Sequence, residues 1–413
     1  MKRTFTFLRN LILTFTITTT SIYSQDFTNY DYTDGLIDGF IFSITQDNNS
    51  NFWFGSWIDI GNVPFNGLGK FDGSSWTQYS ESDGLINNLV ETVFVDTNGK
   101  LWIGTHGGIS TFDGSNWVNY TTADGLANNQ VNSIIQDTDG NMWFGTWGGG
   151  VSKYDGVNWT TYTPDDGLIA LFIRAIFQDK NGNYWFSGSS DPNGVSKFDG
   201  ANWTTYIINQ QGNGLTANSI RAIGEDNHGN MWFGSFQDGN GLIKFDGVNW
   251  IHYTTTDGLA DDNIRTIIKS NDGNMWIGTN QGVSIFDGTS FINYDENDGL
   301  IENHVRALYQ DTNNDIWIGT WGGVSKLNSG ILSTEEVDNA EDIELFPNPS
   351  NGIFYMNSSQ IISGIQIYDI LGSLVLETSN FKNIIDLTNT KNGIYILKIK
   401  VGNKIISKKI IRK

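Results

Sequence analysis

A short phrase built on tryptophan recurs seven times along this chain. The copies are Phe52-Trp53-Phe54-Gly55, Leu101-Trp102-Ile103-Gly104, Met142-Trp143-Phe144-Gly145, Tyr184-Trp185-Phe186-Ser187, Met231-Trp232-Phe233-Gly234, Met275-Trp276-Ile277-Gly278 and Ile316-Trp317-Ile318-Gly319. Subtracting the numbers of successive tryptophans gives intervals of 49, 41, 42, 47, 44 and 41 residues. A repeat of this length is one small unit that cannot bury its apolar face alone and must stack on its neighbours. Function in such a chain is expected where the copies differ.

The third copy reads most clearly. Residues 131–136 are rich in β-branched side chains and form a first strand. Asp137-Thr138-Asp139-Gly140-Asn141 is a hairpin turn, and Met142-Trp143-Phe144-Gly145-Thr146 the second strand. A Gly-rich link leads to Val151-Ser152-Lys153-Tyr154. Asp155-Gly156 turns the chain again into Trp159-Thr160-Thr161-Tyr162. Four short antiparallel strands per copy make one blade, so the spacing predicts an all-β, seven-bladed β-propeller. A linker carrying Asp-Gly-Leu separates the copies, at Asp34, Asp83, Asp124, Asp166, Asp257 and Asp298, with Asn213-Gly214-Leu215 as a looser seventh. The fourth strand, an aromatic with Tyr three residues on, occurs six times after its own copy, from Trp76/Tyr79 to Phe291/Tyr294. The seventh copy stops after Leu327, whereas Phe27-Thr28-Asn29-Tyr30 has the missing spacing. Residues 27–30 are therefore expected to complete the last blade and close the ring.

These copies resemble the two-component-regulator propeller repeats of Bacteroidetes: a strand ending in acidic-x-x-Gly, then aliphatic-Trp-Ile-Gly-Thr, then a Gly-led third strand. The resemblance covers about residues 26–330. In that family such propellers often form the periplasmic sensor half of hybrid histidine kinases, and such sensors recognise glycans. This chain departs from that arrangement, with one ring and no kinase or response-regulator segment.

Both ends carry further signals. Lys2, Arg3 and Arg9 precede an apolar stretch from Leu11 to Ile22, and residues 1–24 read as a signal peptide cleaved near Ser24. That stretch is short for a membrane span, and no other segment approaches one, so no transmembrane span is expected in the mature chain. The propeller is assigned to residues 25–330 and a polar, acidic linker to 331–342. Residues 343–413 alternate apolar and polar positions between Gly and Asn turns and predict a small C-terminal β-sandwich. From Ile343 onward there are nine Lys/Arg and four Asp/Glu, so this end is basic. It is similar to the type A C-terminal sorting domain of the type IX secretion system. The matching residues are Phe346-Pro347-Asn348-Pro349, Gly352, Tyr368-Asp369-Ile370-Leu371-Gly372, Leu387, Gly393-Ile394-Tyr395 and the final Lys408-Lys409-Ile410-Ile411-Arg412-Lys413. That resemblance implies the type IX machinery as a partner, and a place outside the outer membrane, released or attached to the cell surface.

Charge narrows the partners. The formal net charge of the 413 residues is −21, which repels phosphate backbones and argues against nucleic-acid binding. There is no Cys, so neither disulfides nor thiolate chemistry enters. Against this acidic background, the second residue of the inner strand runs Phe42, Glu91, Asn132, Arg174, Arg221, Arg265 and Arg306. Four successive blades thus place Arg near one channel mouth. Two residues beyond the repeat Gly (Ser187 in the fourth copy) stand Trp57, His106, Trp147, Ser189, Phe236, Asn280 and Trp321. Trp57, His106, Trp147, Phe236 and Trp321 would make a rim on which sugar rings stack, with Arg174, Arg221, Arg265 and Arg306 holding a carboxylate or sulfate. The plainer alternatives stand beside this one: loop aromatics covering blade junctions, and each Arg paired with a linker Asp.

The expected function is recognition of a polysaccharide or oligosaccharide, an anionic one where the arginines take part. A surface-protein scaffold using the same face, and a polysaccharide lyase or hydrolase, are the alternatives. The four His, at 106, 228, 252 and 304, fall in different phases of the repeat. No nucleophile elbow, zinc spacing or phosphate loop occurs, so no catalytic residue, metal or cofactor is assigned. Turns such as Asp137-x-Asp139-Gly140-Asn141 faintly resemble calcium loops, but without the bidentate Glu they read as turn-makers.

Overall fold

The computed structural model describes residues 27–37, 40–56, 67–189, 193–207, 215, 219–236, 240–328, 343–358, 362–369, 374–378, 383–401 and 404–413. The expected signal peptide, the linker 331–342 and Trp57 lie outside the described residues.

Seven four-stranded antiparallel sheets follow one another. In the third blade the order from the centre outward is Val131–Gln136, Met142–Thr146, Val151–Tyr154 and Trp159–Tyr162. The inner strands of the other blades are Ile41–Gln46, Val90–Val95, Ile173–Gln178, Ile220–Glu225, Ile264–Lys269 and Val305–Gln310. Each packs beside the next, and the last returns to the first, which makes a closed ring. In the seventh blade Val324–Leu327 pairs with Phe27–Tyr30, Phe27 opposite Leu327 and Tyr30 opposite Val324. Asn29 shows that this N-terminal segment is a true fourth strand. Its Nδ2 donates to Gly299 O at 3.0 Å and its Oδ1 accepts from Ser325 Oγ at 2.7 Å. Asn119 makes the same two bonds in the second blade, with Gly84 O and Ser110 Oγ.

The repeat residues explain the packing. All seven second-strand Trp are buried at the junction with the following blade. Trp143 stacks on Tyr162 at 5.4 Å and reaches Tyr184 of the next blade at 4.4 Å. Lys153 lies over the same indole at 5.3 Å. Burying one such ring is worth roughly 2–3 kcal/mol. In six of the blades the indole N–H is satisfied by the first Asp of the hairpin turn, as in Trp143 Nε1 to Asp137 Oδ2 at 2.8 Å. These Asp carboxylates also accept turn amides, Asn141 N among them. Their acceptors are thereby engaged in holding the turn and the Trp.

The Asp-Gly-Leu linker has a role for each residue. Asp166 Oδ2 accepts from Thr163 N and closes a single 3-10 turn, Pro164–Asp166. Gly167 follows at φ 115°, where an added Cβ would meet Trp203 of the fourth blade at 2.7 Å. Only glycine supplies both that conformation and that close approach. Leu168 is buried in the same cluster as Trp143 and Phe186.

Residues 343–413 form two sheets, one of Ile343–Phe346, Ile353–Ser358 and Ile384–Asp386, the other of Leu374–Thr378, Ile362–Asp369, Gly393–Val401 and Lys404–Arg412. Ile343, Phe354 and Met356 from the first share one core with Ile365, Ile367, Leu397, Ile399 and Ile410 from the second.

Candidate functional site

Every inner strand slips register at its second residue. The jumps are Ile41/Ser43, Val90/Thr92, Val131/Ser133, Ile220/Ala222, Ile264/Thr266 and Val305/Ala307, with Ile173/Ile176 in the fourth blade. The skipped residue leaves the ladder, and such a bulge re-aims its side chain. The re-aimed residues are Phe42, Glu91, Asn132, Arg174, Arg221, Arg265 and Arg306, and with Ser43 and Thr92 they line one cavity of about 140 Å³. A repeat that aims seven residues at one point makes a site from whatever chemistry those positions hold.

Arginine holds four of them. Each guanidinium carbon lies over an aromatic ring: Arg174 on Trp147 at 3.9 Å, Arg221 on Phe236 at 4.0 Å, Arg265 on Phe236 at 3.7 Å, and Arg306 on Phe42 at 4.2 Å from the ring centroid. A planar guanidinium stacked by its face keeps its N–H edge available for hydrogen bonds. Arg265 Nε donates to Asn280 Oδ1 at 2.9 Å. The Nε groups of Arg174 and Arg221 are buried with no hydrogen-bond partner. None of the ion pairs between described residues includes an arginine of this arc. Burial, then the charges of Arg174, Arg265 and Arg306, pull Arg221 down to about 8, and Glu91 opposes this. Burial, then Arg306 and Arg174, bring Arg265 to about 9. Arg174 and Arg306 are lowered mainly by burial, again opposed by Glu91. Four cations have been gathered against their own repulsion.

The blades without arginine complete the wall. Asn132, only 9% exposed, gives its Nδ2 to Ile173 O at 3.0 Å and leaves Oδ1 without a partner. Behind Glu91 stands His106, its Nε2 3.8 Å from Glu91 Oε2 and 3.4 Å from Gln130 Nε2.

Among the described residues, the aromatics named from the sequence do not form one exposed platform. Phe236 is buried and has Arg221 and Arg265 against it, and Trp147 carries Arg174 and meets Phe172 edge-on at 4.8 Å. These two rings are pads for the arc. Trp321, 37% exposed, belongs to another group: His304 stacks on it at 4.5 Å and Phe40 lies 5.5 Å away. Among the described residues no arginine of the arc makes an ion pair with a linker Asp, although the charge of Asp261 opposes the lowering of Arg265. Sequence reasoning did not select Phe42, Glu91 and Asn132 as site residues, although they occupy the same repeat position. Their shared register was the available signal; lack of a common chemistry hid it.

Seven segments match the two component regulator propeller family, at residues 35–57, 84–107, 125–148, 167–190, 214–237, 258–281 and 299–322. Residues 344–413 match the secretion system C-terminal sorting domain. The chain is a two component regulator propeller protein with a sorting domain. The sorting domain marks this propeller protein for type IX secretion, to the cell surface or beyond it. No helix among the described residues is long and apolar enough to cross a membrane. No curated protein matches the chain. Among solved structures it is similar to the extracellular domain assigned to the hybrid two component system BT3049 of B. thetaiotaomicron, at 19% identity and a TM-score of 0.62, over 94% of this chain and 57% of that one. It is also similar to PorZ, a surface component of the type IX secretion system of Porphyromonas gingivalis, at 18% identity and 0.61, over 91% and 60%. The chain thus spans less than two thirds of either protein. Virginiamycin B lyase of Staphylococcus aureus matches the ring at 13% identity and 0.57, over 73% of this chain and 98% of that one. At these identities the likeness is one of fold, and the fold serves sensors, secretion components and enzymes alike.

Proposed function

We propose that this protein is a secreted or cell-surface binding and sensing propeller whose channel mouth recognises an anionic polysaccharide or oligosaccharide. On this reading residues 1–24 are removed on export, residues 25–330 carry the ligand site, and the domain at 343–413 delivers it. The observation that carries the reading is the arc of four arginines on successive blades, with two buried Nε donors that have no partner. Buried donors normally find acceptors, and gathered cations normally find counter-charge. A carboxylate or sulfate supplies both at once. The similar proteins, one from a two component system and one a surface component of a secretion system, support a sensing or binding role at the cell exterior.

The test is a glycan screen of the full chain that includes uronate-rich, sulfated and neutral polysaccharides. Retention of anionic glycans that weakens with salt, and is lost in the Arg221→Ala/Arg265→Ala variant, is the expected result. Unchanged retention in a folded variant removes the site.

A second reading, a lyase acting on a uronate, draws on His106 and Glu91 beside the arc. Arginines neutralising a carboxylate would acidify the C–H beside it; as a base takes that proton, the glycosidic C–O bond on the next carbon breaks, a C=C bond forms and the leaving oxygen takes up a proton. The 3.8 Å separation is longer than a hydrogen bond and favours the binding reading. Incubation with polyuronate that raises ultraviolet absorbance, as an unsaturated product would, shifts the assignment to the lyase.

A further inference from the structure

The cavity has two chemically different halves. Blades four to seven bring Arg174, Arg221, Arg265 and Arg306; blades two and three bring Glu91 and Asn132. The unfilled hydrogen-bond capacity begins where these halves meet, at Asn132 of the third blade and Arg174 of the fourth, and continues to Arg221 one blade on. Arg174 and Arg221 offer buried Nε–H donors, and Asn132 offers a buried Oδ1 acceptor. A bare oxyanion accepts from the arginines but has nothing to donate to Asn132 Oδ1. It would also bring its charge against the Glu91 carboxylate, which lines the same cavity.

We infer that Asn132 and Glu91 are specificity-determining residues that accept hydrogen bonds from hydroxyls beside the ligand's acidic group, one hydroxyl to each, so that the pocket selects an anion borne on a sugar over a bare anion. The inference rests on the anion-binding reading of the arc. An ammonium is a poorer occupant of the acceptor side, because four Arg and one Glu leave the lining at +4 − 1 = +3. A neutral hydroxyl satisfies Asn132 without adding to that charge. Leaving a buried acceptor unpaired is what makes a site built for a hydroxyl reject an analogue that lacks one. Uronates and sulfated sugars both present the required pair, an acid with a neighbouring hydroxyl, and the wider glycan screen separates them.

The experiment compares sodium glucuronate with inorganic sulfate by NMR titration of the full chain, in the parent and in Glu91→Gln, Asn132→Ala and Arg221→Ala. Asn132→Ala also removes the bond to Ile173 O, so Glu91→Gln, which keeps the shape, is the independent variant. The parent should prefer glucuronate, and in Glu91→Gln and Asn132→Ala that preference should fall by about tenfold, with sulfate bound more tightly in Glu91→Gln. Arg221→Ala should lose both anions. If both anions tighten equally in Glu91→Gln and Asn132→Ala changes nothing, the arc alone reads charge and the inference is overturned while anion binding stands. If the parent binds neither anion, or Arg221→Ala keeps both, the arc reading fails and takes this inference with it.

Discussion

Arg221 shows how a single buried cation can cost a fold stability. Its cation sits among three others, and burial and repulsion together bring it to about 8. The folded value lies below the unfolded one, so the unfolded chain holds this proton more firmly. The cation therefore costs stability below about pH 8, and the cost fades as pH rises through that value. Replacing Arg221 by Met keeps a long apolar stem on Phe236 and removes the charge. The variant should be more stable by about 1–2 kcal/mol near neutral pH, and should no longer retain anionic glycan. Thermal melts beside a retention assay check both; a variant less stable than the parent would contradict the account.

At the scale of one element, the hairpin between the first two strands couples its turn to the blade junction. Asp47, Asp96, Asp137, Asp179, Asp226 and Asp311 each accept the indole N–H of their blade's Trp at 2.8–3.1 Å. The sixth blade has Ser270 at this place, and Trp276 Nε1 is buried without a partner. Ser270→Asp should restore the bond and raise stability by about 1 kcal/mol, the net worth of one hydrogen bond. Calorimetry decides this; an unchanged or lower melting temperature would mean that the serine turn is already optimal for its surroundings.

At the scale of the molecule, the ring depends on a strand taken from the far end of the sequence. Tyr30 stacks on Trp317 at 5.9 Å and meets Trp76 of the first blade at 5.8 Å, so the closing strand ties the last blade to the first. Deleting residues 27–30 removes these contacts and exposes the edge of Val324–Leu327. The deletion variant should melt at lower temperature and less cooperatively than the parent, and an identical melt would show that the ring holds without closure. The overall charge of −21 gives a polyanion no long-range attraction, so the anion capture proposed for this site would have to rest on contact with the arc itself.

The amino-acid sequence by itself determined the ring. Seven Trp phrases, the turn Asp and the Asp-Gly-Leu linkers act within one blade or between neighbours, and such local demands are visible as a period. It also placed the four arginines at one position of the repeat, and marked the C-terminal domain by its motif residues. Only the tertiary structure decided which side chains meet. The bulge at the second inner-strand residue, invisible in composition, is what turns Arg174, Arg221, Arg265 and Arg306 into one cavity with Glu91 and Asn132. Trp147 and Phe236 look like open stacking surfaces in the sequence, yet a cation on an adjacent strand claims the ring face of each. The reason is geometric: a repeat constrains each blade to its neighbour, whereas the site is formed where all seven converge on one axis.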